Sequence, residues 1–123
     1  MLINKLFFIF LTSICSLMQP ISNFRELLIF GEADNPALVS RQVALLQQDK
    51  AGIEERAIKV IQVKKESDLY KKYQIKPGSF WVLLIGKDNS EKYRSDKLVT
   101  MPQLFALIDA MPMRIAESKH KGE

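Results

Sequence analysis

Two short, unbroken apolar runs, at residues 27–30 and 80–85, constrain the fold of this chain more than any other feature. Each run is too short for a buried helix and is typical of a strand that is covered on both faces. A third run, at residues 58–63, is rich in β-branched residues and predicts another strand. Because a sheet covered on both faces needs helices above and below it, the runs predict an α/β domain.

Helical patterns lie between and after these strands. Asn35 and Pro36 are expected to begin the first helix, as its N-cap and its first helical residue, and Gly52 is expected to end it. A short helix is predicted over residues 66–73. The last helix carries apolar residues at core spacing and is predicted to end before Pro112.

A hairpin follows the third strand, with its loop at residues 87–90 and its second strand at residues 91–95. The first two strands enclose a helix, which favours a parallel pair with a right-handed crossover. The predicted order is therefore β-α-β-α-β-β-α. This order predicts a mixed four-stranded sheet with helices on both faces, within a domain spanning residues 24–116.

The two ends of the chain are predicted to lie outside this domain. Residues 1–18 are predicted as a signal peptide, because one charge, Lys5, precedes an apolar run. Cleavage after Ser16 would place Ile14 and Ser16 at the recognised positions, although this is not a strong small-x-small site. The chain is then exported, to the periplasm or beyond the cell. The alternative is an N-terminal segment that is not cleaved and that packs against the domain or anchors the chain. The run is shorter than the roughly 20 residues of a spanning helix, so no transmembrane span is expected, and residues 117–123 are expected to form a polar tail.

Cys15 is the only cysteine in the chain, and it lies within the expected signal peptide. Lipid attachment favours a small residue before the cysteine, and Ile14 argues against it. Thiol–disulfide exchange and peroxide reduction both require a thiolate. A mature chain without cysteine is therefore not expected to catalyse either reaction.

Charge and motifs exclude several other classes of function. The net charge of +4 is too weak to indicate nucleic-acid binding. No Ser-His-Asp set, metal-ligand cluster or Gly-rich phosphate loop is present, and His120, the single histidine, falls in the expected tail. No cofactor is expected, and the partner is expected to be a protein or an envelope-surface ligand of unknown identity.

The remaining polar and thioether residues form a candidate interaction surface. Six of them also have a structural explanation, whereas any pairing of Asp109 with Arg114 depends on the turn at Pro112. Helix capping explains Asp34 and Asn35, and closure of the hairpin explains Lys87 and Asp88. The thioethers either fill the gap where the last helix leaves the sheet or, as a sharper alternative, bind Cu(I). The members of this surface are Asp34, Asn35, Lys87, Asp88, Asp109, Met111, Met113 and Arg114.

Two motifs indicate a family. The segments Leu-Ile-Gly-Lys-Asp at residues 84–88 and Ile-Asp-Ala-Met-Pro-Met-Arg at residues 108–114 resemble those of the P-DUDES family, domain of unknown function 4174. This family is related to a domain of extracellular sushi-repeat and matrix proteins. The resemblance implies a thioredoxin-like fold, distantly akin to peroxiredoxins, with no established activity.

Compared with active thioredoxins, the chain lacks both halves of the redox site. Residues 32–36 read Glu-Ala-Asp-Asn-Pro where Cys-x-x-Cys would stand, and Ser79 stands where the cis-proline would be. The function predicted from the sequence is therefore a non-catalytic binding module of the cell envelope. The alternative is an enzyme or a redox-pathway component related to peroxiredoxin-like proteins.

Overall fold

A mixed four-stranded sheet forms the centre of the computed structural model, which describes residues 22–122. The strands are β1 (Arg25–Phe30), β2 (Ile58–Gln62), β3 (Trp81–Ile85) and β4 (Glu91–Ser95). Their order across the sheet is β2-β1-β3-β4. The pair β1/β2 is parallel, whereas β1/β3 and β3/β4 are antiparallel. The predicted α/β class, the mixed sheet and the order of elements are confirmed.

Within residues 22–122, five helices accompany the sheet: α1 (Pro36–Gln47), α2 (Lys50–Glu55), α3 (Leu69–Lys72), α4 (Met101–Asp109) and α5 (Pro112–Gly122). Alternation along β1 divides the core into two clusters, as the two-residue period of a strand requires. Leu27 and Ile29 pack on one face with residues of α1, α2 and α4. Leu28 and Phe30 pack on the other face, where the Tyr70 ring of α3 meets Phe30 edge-on, with ring centroids 4.9 Å apart.

Gly52 does not end the first helix, contrary to the prediction. Helix α1 ends at Gln47, and Asp49 begins α2 by accepting a hydrogen bond from the Gly52 N–H at 2.9 Å. Gly52 is buried inside α2, where an added Cβ would lie 2.6 Å from Cζ of Phe105. The glycine therefore allows α2 and α4 to approach closely, a role that sequence position alone does not separate from helix termination.

The C-terminal helix α5 is an element that the sequence analysis missed. Helix α4 ends at Asp109, before Pro112 as predicted, but Pro112 then begins α5. Helix α5 continues through the segment expected as a polar tail, where Glu117 forms ion pairs with Arg25 of β1 and with Lys87 of the hairpin loop. The expected signal peptide and Cys15 lie outside the described residues. Among residues 22–122, no helix is both long and apolar enough to cross a membrane.

Candidate functional site

A cleft of about 470 Å³ lies between the β3–β4 hairpin and the junction of α4 and α5. We call it the hairpin cleft. One wall is apolar and comes from the two helices, and the other is polar and comes from the hairpin. Its lining residues are Arg25, Gly86, Lys87, Asp88, Lys92, Leu107, Ala110, Met111, Pro112 and Met113.

Asp88 organises the polar wall from within the hairpin loop. Its carboxylate accepts hydrogen bonds from the Ser90 N–H at 3.1 Å and the Ser90 hydroxyl at 2.8 Å. It also accepts one from Nζ of Lys92 at 2.8 Å. The bonds from Lys92 and Ser90 lower the pKa of Asp88 to about 2. Asp88 thus closes the hairpin, as the structural explanation of this residue expects, and at the same time lines the cleft.

A buried arginine anchors one end of the cleft. Arg25 begins β1 and is only 1% exposed, and it donates to the Arg56 carbonyl at 2.7 Å. Its guanidinium also donates to both carboxylate oxygens of Glu117 on α5, at 3.3 and 3.0 Å. Lys87 donates to the same carboxylate at 3.0 Å. These bonds join β1, the hairpin and α5 around one carboxylate.

The electrostatics of Glu117 follow from this geometry. Burial acts to raise the pKa of the Glu117 carboxyl, but the hydrogen bonds from Arg25 and Lys87 outweigh it and hold the pKa below its ordinary value. Neither Arg25 nor Glu117 was predicted from the sequence as a site residue. The available signal was a pair of charged residues, Arg25 and Glu26, directly before the apolar run of β1.

Met111 and Met113 both reach the cleft, but their surroundings differ. Met111 is partly buried and packs against the core cluster beneath α4, which is the gap-filling role expected of it. Met113 is 42% exposed, so packing does not account for it. In the described part of the chain, no group of three or more His, Cys, Asp or Glu side chains is placed to hold a metal ion.

Asp109 and Arg114 lie next to the cleft and pair with each other. The turn between α4 and α5 brings Nε of Arg114 to 3.3 Å from Oδ1 of Asp109. Arg56 donates two further bonds to Asp109, each of 2.9 Å, and lowers its pKa. Arg114, only 4% exposed, also reaches Glu55 at 3.2 Å. This network fastens the α4–α5 corner to α2, so packing explains both residues.

Asp34 and Asn35 lie apart from the cleft, beyond the end of β1. Asn35 is the N-cap of α1 by position, but its side chain makes no capping bond. Instead its Nδ2 donates to the Gly78 carbonyl at 2.9 Å. An added Cβ on Gly78 would lie 3.1 Å from Oδ2 of Asp34. Asn35 and Pro36 therefore begin α1 as predicted, but the Asn35 side chain does not cap the helix, because its amide ties the loop before β3 to the loop after β1.

The eight residues of the predicted surface thus fall into three groups. Lys87, Asp88, Met111 and Met113 line the hairpin cleft. Asp109 and Arg114 pair with each other beside the cleft, at the corner between α4 and α5. Asp34 and Asn35 lie away from the cleft, in the loop between β1 and α1. The sequence predicted one surface, and the structure places half of that surface in one cleft.

Comparison with known proteins gives a family but no activity. Neither curated proteins nor solved structures give a match. The family model described as "Domain of unknown function (DUF4174)" matches residues 16–117, which is most of the chain and excludes Cys15. The predicted resemblance to this domain of unknown function is confirmed. The chain therefore belongs to the DUF4174 family.

Proposed function

We propose that this chain is an exported, thioredoxin-like binding module of the cell envelope, which recognises a protein or an envelope-surface ligand through the hairpin cleft. The observation that carries this proposal is the convergence of Lys87, Asp88, Met111 and Met113 on one cleft. These residues come from two segments that are far apart in the sequence. The same two segments carry the family motifs.

The chemistry of the cleft suits a ligand with an apolar group beside hydrogen-bond acceptors. The exposed thioether of Met113 offers a polarisable surface that adapts to different shapes. The Lys87 and Lys92 ammonium groups lie across from it and are already oriented by the carboxylates of Glu117 and Asp88. Such preorganisation lowers the entropic cost of binding.

The loops beyond β1 support a role without redox chemistry. A thiolate is the nucleophile in disulfide exchange, and residues 32–36 contain no cysteine.

The thioredoxin-like relation is supported by the sheet order β2-β1-β3-β4, in which a parallel pair is joined to an antiparallel hairpin. No described residue specifically favours the rival, an enzyme or a redox-pathway component.

Insulin-reduction and thiol-peroxidase assays test this part of the proposal. We expect turnover at background level for the full chain and for the matched variant Cys15→Ser. Turnover that is reproducible in the full chain and lost in Cys15→Ser would show that Cys15 is a working nucleophile and would contradict the proposal.

Site-specific photo-cross-linking in the native envelope tests the binding role. A photoactivatable residue is placed at Met113, on the cleft, and in a matched control at Leu38, an apolar residue of α1 that is 37% exposed and does not line the cleft. We expect one species to be captured from position 113 and not from position 38. Equal capture from both positions, or none from either, contradicts binding at the cleft.

The captured species then allows a quantitative test. Full burial of a methionine side chain contributes about 1.5–3 kcal/mol, and a ligand can bury only the 42% of Met113 that is exposed, so Met113→Ser should weaken binding roughly three- to eightfold. Leu38→Ser removes a similar exposed apolar group at a distance from the cleft and should leave the affinity unchanged. Equal losses for the two variants would place the contact elsewhere.

A further inference from the structure

The two edges of the sheet differ in how they are protected. Edge strand β4 carries charged side chains, and its register shifts at residues 84–85. Charges and irregular register are the usual devices that stop an edge from pairing with another chain. Edge strand β2 pairs with β1 over five residues without a shift and carries one charge, Lys59. With one charge and a regular register, strand β2 is therefore the less protected of the two edges.

The outward side of β2 can be identified from its bonds to β1. The Ala57 carbonyl accepts from the Arg25 N–H at 2.8 Å, and the Val63 N–H donates to the Ile29 carbonyl at 2.9 Å. Odd-numbered residues of this segment thus direct their backbone groups toward β1. Since backbone direction alternates along a strand, the N–H and C=O groups of residues 58, 60 and 62 point away from the sheet. Among the described residues, no strand pairs with this side.

An apolar groove of about 400 Å³ lies beside this edge. Residues 58, 60 and 62 share a sheet face with Leu27 and Ile29 through the β1–β2 register. Their side chains line the groove together with Val43, Leu46 and Ile53 of α1 and α2. The same three residues therefore offer backbone groups that no described strand pairs with, and two of them, Ile58 and Val60, add apolar side chains.

We propose that β2 is a homodimer interface, at which a second copy of this chain adds its own β2 antiparallel about a two-fold axis through Val60. This register opposes Val60 to Val60 of the second copy, and Ile58 to Gln62 of the second copy. It pairs all three outward residues of each chain. The two sheets then join into one continuous sheet of eight strands.

The charges around β2 favour a copy of this chain as the occupant. In this register Lys59 lies opposite Ile61 of the second copy, so no like charges face each other across the strands. Lys50 and Glu54, four residues apart on α2, line the same groove with opposite charges, so a second copy of this chain offers each of them a charge of the opposite sign. Strand β4 forms the opposite edge of the sheet, so the hairpin cleft remains open in such a dimer.

Amide hydrogen exchange of the full chain tests this proposal without any substitution. From about 1 µM to about 1 mM, the outward amides of Ile58, Val60 and Gln62 should become at least about tenfold slower to exchange. The inward amides of Lys59 and Ile61 serve as internal controls, because they bond to β1 and should be protected at every concentration. Fast exchange of the outward amides at all concentrations overturns the proposal.

Sedimentation equilibrium of the full chain and two variants gives an independent test. The wild-type chain should reach a mass of twice 14.1 kDa. Val60→Lys places two like charges on residues whose Cα atoms are about 5.5 Å apart and should weaken the dimer at least about tenfold. Val60→Thr keeps a β-branched, neutral side chain and should dimerise within about threefold of wild type.

Circular dichroism at a concentration where wild type is monomeric checks that both variants fold. A wild-type chain that stays monomeric at about 1 mM overturns the proposal. A dimer that Val60→Lys leaves unchanged also overturns it, because the interface would then lie elsewhere. If Val60→Lys does not fold, the exchange experiment decides alone.

Discussion

The carboxylate of Glu117 holds α5 against the sheet, and the variant Glu117→Gln tests how much this contact stabilises the fold. In the native chain, Glu117 accepts bonds from Arg25 at 3.0 and 3.3 Å and from Lys87 at 3.0 Å. Glutamine has nearly the same shape but no charge. The variant therefore leaves the guanidinium of Arg25, which is 1% exposed, without a counter-ion.

The expected loss follows from the difference between charged and neutral bonds. Hydrogen bonds to charged groups contribute about 1.5–3 kcal/mol and neutral ones about 0.5–1.5 kcal/mol. Breaking a fully buried ion pair costs about 3–5 kcal/mol. The Glu117 side chain is 27% exposed, which lowers this figure. We expect Glu117→Gln to lower the free energy of unfolding by about 2 kcal/mol, a fall in Tm of about 10 °C.

Urea denaturation of a double-mutant cycle measures this loss and assigns it to the pair. The single variants are Glu117→Gln and Arg25→Met, and the double variant combines them. Removing both partners leaves no buried, unpaired charge, so the double variant should be more stable than the sum of the single losses predicts, by about 1–2 kcal/mol. Additive losses, or a loss below about 0.5 kcal/mol for Glu117→Gln, would refute this reasoning.

The pH dependence of the free energy of unfolding provides a second test of the Glu117 ion pairs. Because folding lowers the pKa of Glu117, its contribution is fully present above its ordinary value of 4.5. The contribution is lost as the pH falls through the lower pKa of the folded state. Wild type and Glu117→Gln should therefore differ most above pH 4.5 and converge in acid. A difference that does not depend on pH would contradict the assigned ion pair.

Three smaller predictions concern the packing and the hairpin. Gly52→Ala should lower the free energy of unfolding by about 1–3 kcal/mol in urea denaturation, because the new Cβ meets the Phe105 ring at 2.6 Å. Gln42→Leu should cost about 3 kcal/mol in the same assay, because the buried amide bonds both the N–H and the C=O of Val99, at 2.8 and 2.9 Å. Asp88 should titrate with a pKa of about 2 in a carboxyl NMR titration, and a value near 3.8 would contradict its bonds within the hairpin.

The sheet could be predicted from the sequence because its signals are local. Continuous apolar runs identified the buried strands, and the polar loop at 87–90 identified the hairpin. The misreading of Gly52 and the missed helix α5 have a different cause. Both depend on contacts between distant segments, namely Gly52 with Phe105 and Arg25 with Glu117. Residue spacing within one segment does not carry such information.

The candidate site was partly predictable for the same reason. The motifs at 84–88 and 108–114 supplied Lys87, Asp88, Met111 and Met113, and the fold brings both motifs to one cleft. The second motif also led to the prediction of Asp109 and Arg114 as surface residues, but these two side chains pair with each other beside the cleft. Only the three-dimensional arrangement separates side chains that are committed to packing from those that remain open to a ligand.

Methionine-methyl NMR provides a direct test of ligand binding in the hairpin cleft. Met111 and Met113 line the cleft, whereas Met101 is buried in the core and serves as an internal control. The full chain is labelled at its methionine methyl groups and titrated with the species captured by cross-linking at position 113. We predict that the Met111 and Met113 signals shift and that the Met101 signal does not. Binding that leaves the Met111 and Met113 signals unchanged would contradict the account.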